Sequence, residues 1–124
     1  MSGITGYRDL VVWQEAMDLV VATYRIAARL PRGEQYGLVN QMQRAAVSVP
    51  ANIAEGHGRS GCREYLHHLS VARGSLMELE THLQIAVRLG YIADTDVAPM
   101  LEQSGILDRR LRTLIARLRD QAAG

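Results

Sequence analysis

Residues 44–56 read RAAVSVPANIAEG. Small and apolar residues recur three or four apart, which is helical spacing. Pro50 interrupts that spacing, and Asn52 and Glu55 break the apolar run. A proline inside a helix removes one backbone donor and costs on the order of 3 kcal/mol. The segment is therefore a loop at a site, a broken helix, or a helix that accepts a kink for its packing.

The flanking pattern favours the kinked helix. Leu38, Met42, Ala45, Val49 and Ile53 continue one apolar seam through Pro50. Beside it runs a polar stripe: Gln41, Arg44, Ser48, Asn52 and Glu55. Gly56 and Gly58 are expected to end the helix. Pro50 is read as a kink that leaves the Ala46 carbonyl without its helical N–H, with Asn52 or a side chain of the third helix compensating.

Working outward, helical periodicity dominates the chain. A first helix over about 9–30 carries two seams. One holds Leu10, Trp13, Met17, Val20, Tyr24 and Ala27; the other holds Val12, Ala16, Leu19, Ile26 and Leu30. Trp13 and Tyr24 are expected in the core, and two seams imply a second packing surface. A turn rich in Pro and Gly (PRGEQYG, 31–37) precedes the second helix, about 38–55. Ser60 is the expected N-cap of the third, about 62–89. That helix shows an unbroken seam of Tyr65, Leu69, Ala72, Leu76, Leu79, Leu83 and Ala86, and Gly90 caps its end. Gly74 and Ser75 read as a close helix crossing. Asp94, Thr95 and Asp96 start the fourth helix, about 96–119, with Pro99 in its first turn. Its seam holds Val97, Leu101, Ser104, Leu107, Leu111, Leu114 and Leu118. Four helices with short connections in one domain over 1–124 predict an all-α, antiparallel up-down-up-down four-helix bundle.

Composition narrows the function classes. The 124 residues are 48% hydrophobic and 22% charged, as in an ordinary globular domain. No apolar run approaches the ~20 residues of a membrane span. Met1–Tyr7 lacks the charged start and apolar middle of a signal peptide. Cys62 is the sole cysteine, so cysteine-pair metal and redox sites are excluded. These features lead to an expectation of a cytoplasmic protein.

Catalytic and metal readings are weak. His57, Cys62, Glu64 and His68 could supply ligands, but Glu64 and His68 are one pair four apart, whereas a bundle di-metal site needs a Glu-x-x-His pair from each of two helices plus further carboxylates. Cys62 lacks an oriented triad. The glycines of EGHGRSG (55–61) follow no strand and precede no lysine, so they are no phosphate loop. No cofactor and no enzymatic activity are expected.

Two polar features remain. Ser75, Glu78 and His82 form a second polar stripe on helix three, and two such stripes on neighbouring helices suit an inter-helix network or a subunit interface. Arg44 with Glu78 or Glu55 is the expected ion pair, since a charge there needs a partner. All 14 basic residues are arginine, and net charge is only +1. Five of them, Arg109, Arg110, Arg112, Arg117 and Arg119, fall within eleven residues with no acid between. Arg109, Arg112 and Arg119 lie near one face, with Arg110 and Arg117 on a neighbouring one. They are candidate contacts to RNA or DNA phosphates.

The pattern QxxRAxxSxPxNIAEG at Gln41–Gly56, supported by GSLxELExxL at Gly74–Leu83, resembles the small bacterial four-helix-bundle proteins called 23S rRNA intervening-sequence proteins. The resemblance spans about residues 7–118. It implies an antiparallel bundle assembling as a ring-like homopentamer, without enzymatic activity. Some relatives are encoded within ribosomal RNA intervening sequences. A similar protein is an accessory factor of the reverse transcriptases of diversity-generating retroelements, binding nucleic acid and the polymerase. Partners implied here are further copies of the chain, and RNA, DNA or a nucleic-acid enzyme. The alternative is a protein–protein interaction module without nucleic acid. The chain departs from those accessory factors in being nearly neutral, in having His82 where glutamine is common, and in replacing lysine by arginine.

Overall fold

A computed structural model describes residues 6–59 and 61–123. Among them are four α-helices and no strand: α1 Val11–Ala27, α2 Leu38–His57, α3 Cys62–Arg88 and α4 Asp94–Ala123. Short 3-10 turns occupy Tyr7–Asp9 and Arg32–Glu34. Each helix packs on two others in a closed ring, α1 on α2, α2 on α3, α3 on α4 and α4 on α1. A four-helix bundle is consistent with that ring.

Local chemistry sets the helix ends. α1 is shorter than the expected 9–30. Leu10 is extended and precedes the first turn. The last residues close as tight turns, with Leu30 N–H donating to the Ala27 carbonyl. Pro31 lacks an N–H and disfavours helical backbone at Leu30. Glu34 then starts α2. Its Oε1 accepts from the Leu38 N–H at 3.2 Å, and its Oε2 accepts from the Tyr91 hydroxyl at 2.8 Å.

The N-cap of α3 is Gly61; Ser60, expected in that role, lies outside the described residues. At the other end Gly90 takes a φ of +79°. Tyr91 N–H donates to Ala86 O and Gly90 N–H to Val87 O, a Schellman ending. α4 begins two residues earlier than expected. Asp96 reaches back to accept from the Ala93 N–H at 2.9 Å, which leaves Pro99 beyond the first turn.

The core corrects three assignments. In α1, Val12, Ala16, Leu19, Thr23, Ile26 and Ala27 are buried. In the other seam Trp13 and Val20 are only half-buried, while Met17 and Tyr24 are exposed, so Tyr24 is not a core residue. In α4, Met100 and Ile115 are buried where Leu101 and Leu114 were expected to be, and those two are half-buried. Gly74 has no atom near a built Cβ, whereas Ser75 is buried; the crossing residue is therefore Ser75. The α2 seam is buried as read, as is the α3 seam apart from half-buried Tyr65.

Gly56 is inside α2 and does not end it. A Cβ there would lie 2.8 Å from His68 Cβ and 2.9 Å from Tyr65 Cδ1. Its missing side chain lets α2 and α3 approach. The α-helical backbone continues through Pro50, which is buried.

Candidate functional site

The polar stripe of α2 meets α3 and divides into two halves. In the first half every named group is bonded. Ser75 Oγ donates to Ser48 Oγ at 2.8 Å. Asn52 Nδ2 donates to the Ser48 carbonyl at 2.8 Å and lies 3.0 Å from Ser48 Oγ. With its amide donors directed at Ser48, Asn52 presents Oδ1 to His68 Nδ1 at 3.0 Å. Oδ1 can only accept, so Nδ1 carries the proton. Glu55 Oε2 is 3.9 Å from the same nitrogen, and Glu55 Oε1 accepts from Arg59 at 2.9 Å.

This geometry corrects two expectations. Asn52 bonds to the Ser48 carbonyl, not to the Ala46 carbonyl that Pro50 leaves without a donor. Glu55 pairs with Arg59, not with Arg44. His68 was absent from the expected network, although it lies seven residues before Ser75 and fourteen before His82 on one face of α3, a spacing that could have found it.

The second half is open. Gln41, Arg44, Glu78 and His82 line a cleft of about 580 Å³ with Tyr36, Asn40, Ala45, Ser48 and Ser75. Arg44 forms no ion pair among the described residues, with Glu78 or any other acid. Arg44 and Glu78 are both exposed, and long solvent-facing side chains gain little by pairing. His82 Nδ1 is enclosed without a hydrogen-bond partner.

The arginines of α4 are all exposed but not equivalent. Arg110 Nε donates to Glu15 Oε2 at 3.0 Å, and Arg112 Nε to Asp108 Oδ2 at 3.2 Å. Arg109, Arg117 and Arg119 form no ion pair among the described residues. Arg109, Arg110 and Arg117 border one cleft of about 500 Å³, which Leu10, Val11, Ile106 and Leu114 also line. Arg109 thus groups with Arg110 and Arg117 rather than with Arg112 and Arg119.

Two further polar links between α3 and α4 have no signature in spacing, because their members are distant in sequence. Arg73 Nε donates to Asp108 Oδ1 at 2.7 Å, and that hydrogen bond raises the Arg73 pKa further. Buried Ser104 donates to Glu80 at 2.6 Å.

An apolar stripe remains uncovered on α1 and α2. Met17, Val21, Tyr24 and Val47 are 38%, 47%, 46% and 43% exposed. Tyr24 and Val47 share a recess of about 400 Å³ with Asn40, Gln43, Arg44 and Ser48.

The candidate metal residues have other contacts. Cys62 Sγ is 3.5 Å from the Leu118 carbonyl, His57 stacks edge-on with Tyr65, and Glu64 lies 3.8 Å from Arg59. Among the described residues no group of three His, Cys, Asp or Glu side chains is placed to share an ion. No helix among them is long and apolar enough to cross a membrane.

A protein of unknown function from the S23 ribosomal protein family of Bacteroides thetaiotaomicron VPI-5482 has a similar crystal structure. The TM-score is 0.77 at 22% identity, over 85% of this chain and 98% of that one. At that identity the likeness shows a shared fold. No curated protein matches the chain. The sequence model described as 23S rRNA-intervening sequence protein matches residues 8–113, most of the length. On that match, the chain belongs to the 23S rRNA-intervening sequence protein family.

Proposed function

We propose that this chain is a non-enzymatic, cytoplasmic scaffold that associates with copies of itself through the α1–α2 face. The observation that carries the reading is the exposed stripe of Met17, Val21, Tyr24 and Val47. Contiguous apolar surface ringed by polar groups marks interaction sites, and Tyr, Met and Arg are enriched in them. The topology proposed is up-down-up-down. Its support is that cross-helix contacts pair rising numbers with falling ones. Glu15 meets Arg110 while Arg29 meets Asp96, and Ser48 meets Ser75 while Asn52 meets His68. A ring of five copies is what the sequence resemblance suggests.

Light scattering tests this directly. The expected mass is a multiple of the 13.7 kDa chain, and Val47→Glu lowers it. A monomeric wild-type chain would overturn the reading.

A second reading adds nucleic acid, alone or as part of a reverse-transcriptase complex. It draws on Arg109, Arg117 and Arg119, whose guanidinium groups have no counter-ion among the described residues. Titration of single- and double-stranded RNA and DNA at two salt concentrations is the test. Affinity should fall steeply with salt and weaken in Arg109→Ala with Arg117→Ala. Salt-insensitive or absent binding leaves the self-associating module alone.

A further inference from the structure

The cleft between α2 and α3 adjoins the self-associating face, sharing Asn40, Arg44 and Ser48 with its Tyr24 recess, but its far wall is formed by Ser75, Glu78 and His82 of α3. We propose that it binds a small zwitterion of the amino-acid type, with the ligand carboxylate on Arg44 and its ammonium on Glu78.

Size and lining come first. About 580 Å³ lies within the range of small-molecule sites, roughly 300–1,000 Å³. The lining is almost wholly polar, with Ala45 its apolar member, so an apolar ligand gains little there. Of its side chains, Tyr36, Asn40, Gln41, Arg44, Glu78 and His82 make no hydrogen bond or ion pair among the described residues. The contrast with the neighbouring half of the same stripe is physical. Ser48, Asn52, Glu55, His68 and Ser75 satisfy one another and hold α2 against α3. Beyond the Ser48–Ser75 bond the helices present the same kinds of group to open space.

Charge selects the ligand class. Arg44 is the one arginine of the cleft and Glu78 its one carboxylate. They lie on opposite walls without an ion pair. A simple anion drawn to Arg44 would sit in the field of Glu78, and a simple cation on Glu78 in that of Arg44. A molecule carrying both charges meets each with its complement. Asn40 and Gln41 offer amide donors and acceptors beside Arg44 for the same ligand. His82 has an enclosed, unpartnered Nδ1, and no hydrogen bond sets its ring orientation. Turning the ring toward the cleft would give that nitrogen a partner on the ligand.

The test is calorimetric titration of the full chain with a panel of free L-amino acids. Their amides and N-acetyl derivatives, which each lack one charge, serve as controls. At least one amino acid should bind saturably, one per chain. Its amide and its N-acetyl derivative should bind about tenfold more weakly or worse, the loss expected when a charge-assisted hydrogen bond is removed. Glu78→Gln and Arg44→Gln should each weaken binding similarly. Because Arg44 also borders the Tyr24 recess, Glu78→Gln carries the decision, and its oligomer mass should match wild type. NMR shifts on the unmodified chain should centre on Gln41, Ser75 and His82. The proposal is overturned if no amino acid gives saturable heat at millimolar concentration. It is also overturned if binding survives Glu78→Gln, or if the single-charge controls bind equally well.

Discussion

Replacing Gly56 by alanine isolates the contact on which the α2–α3 pairing depends. Alanine is the better helix former by about 1 kcal/mol, and Gly56 is helical, so propensity alone predicts stabilisation. Packing opposes it. The new methyl would lie 2.8 Å from His68 Cβ and 3.4 Å from the Tyr65 carbonyl oxygen. Carbon atoms rest about 3.5–4.0 Å apart, so α3 must retreat by roughly 0.7–1.2 Å. His68 Cβ is fixed to the backbone and cannot swing aside. Overpacking of this kind costs about 1–3 kcal/mol. The shift also stretches the Asn52–His68 hydrogen bond one turn away, worth about 0.5–1.5 kcal/mol. The net expectation is a destabilisation of about 1–3 kcal/mol. Urea unfolding at one fixed protein concentration measures it, since assembly makes stability concentration-dependent. Gly74→Ala is the internal control: open space surrounds that position, so it should gain up to about 1 kcal/mol. Gly56→Ala at or above wild-type stability, with an unchanged urea dependence, would refute the close-approach argument.

Other expectations follow from single contacts. Ser75→Ala removes a buried hydroxyl bonded to Ser48 and should cost about 0.5–1.5 kcal/mol; in a double-mutant cycle with Ser48→Ala most of that should appear as coupling. Pro50→Ala restores the donor to the Ala46 carbonyl and should straighten α2, with a change in oligomer mass; unchanged mass and helix geometry count against a kink role. Asp96 accepts hydrogen bonds from Arg29, the larger cause, and from the Ala93 N–H, which together lower its pKa. Its stabilisation is therefore present above the ordinary aspartate value of about 3.9 and disappears as pH falls through the lower folded value. Acid titration of stability should be shallower in Asp96→Asn. Tyr91 behaves oppositely. Its hydrogen bond to Glu34 raises its pKa, so that contribution is complete below about pH 10 and is lost as pH rises through the folded value. Tyr91→Phe should remove this alkaline loss, followed by circular dichroism.

Much was legible in the chain, because helix formation and helix ends depend on near neighbours. The three-and-four spacing of Met42, Ala45, Val49 and Ile53, or of Leu69, Ala72, Leu76, Leu79 and Leu83, marks helices wherever they pack. Gly90, with no Cβ, marks the turn after α3. The polar stripe of α2 could be read as residues sharing a face. Ser75 could be placed on a polar face of α3, but which residue meets which could not be read. Ser48 with Ser75, and Asn52 with His68, are bonds between helices whose relative register no local pattern encodes. The same reason separates Gly74 from Gly56: equal in sequence as small residues, one faces solvent and the other faces α3. It also separates the two seams of α1. Both are apolar and both have helical spacing, so the sequence by itself determined only that α1 has two sticky sides. Which one became core was decided by the tertiary structure, because a helix can turn only one sector toward the neighbours that exclude water from it.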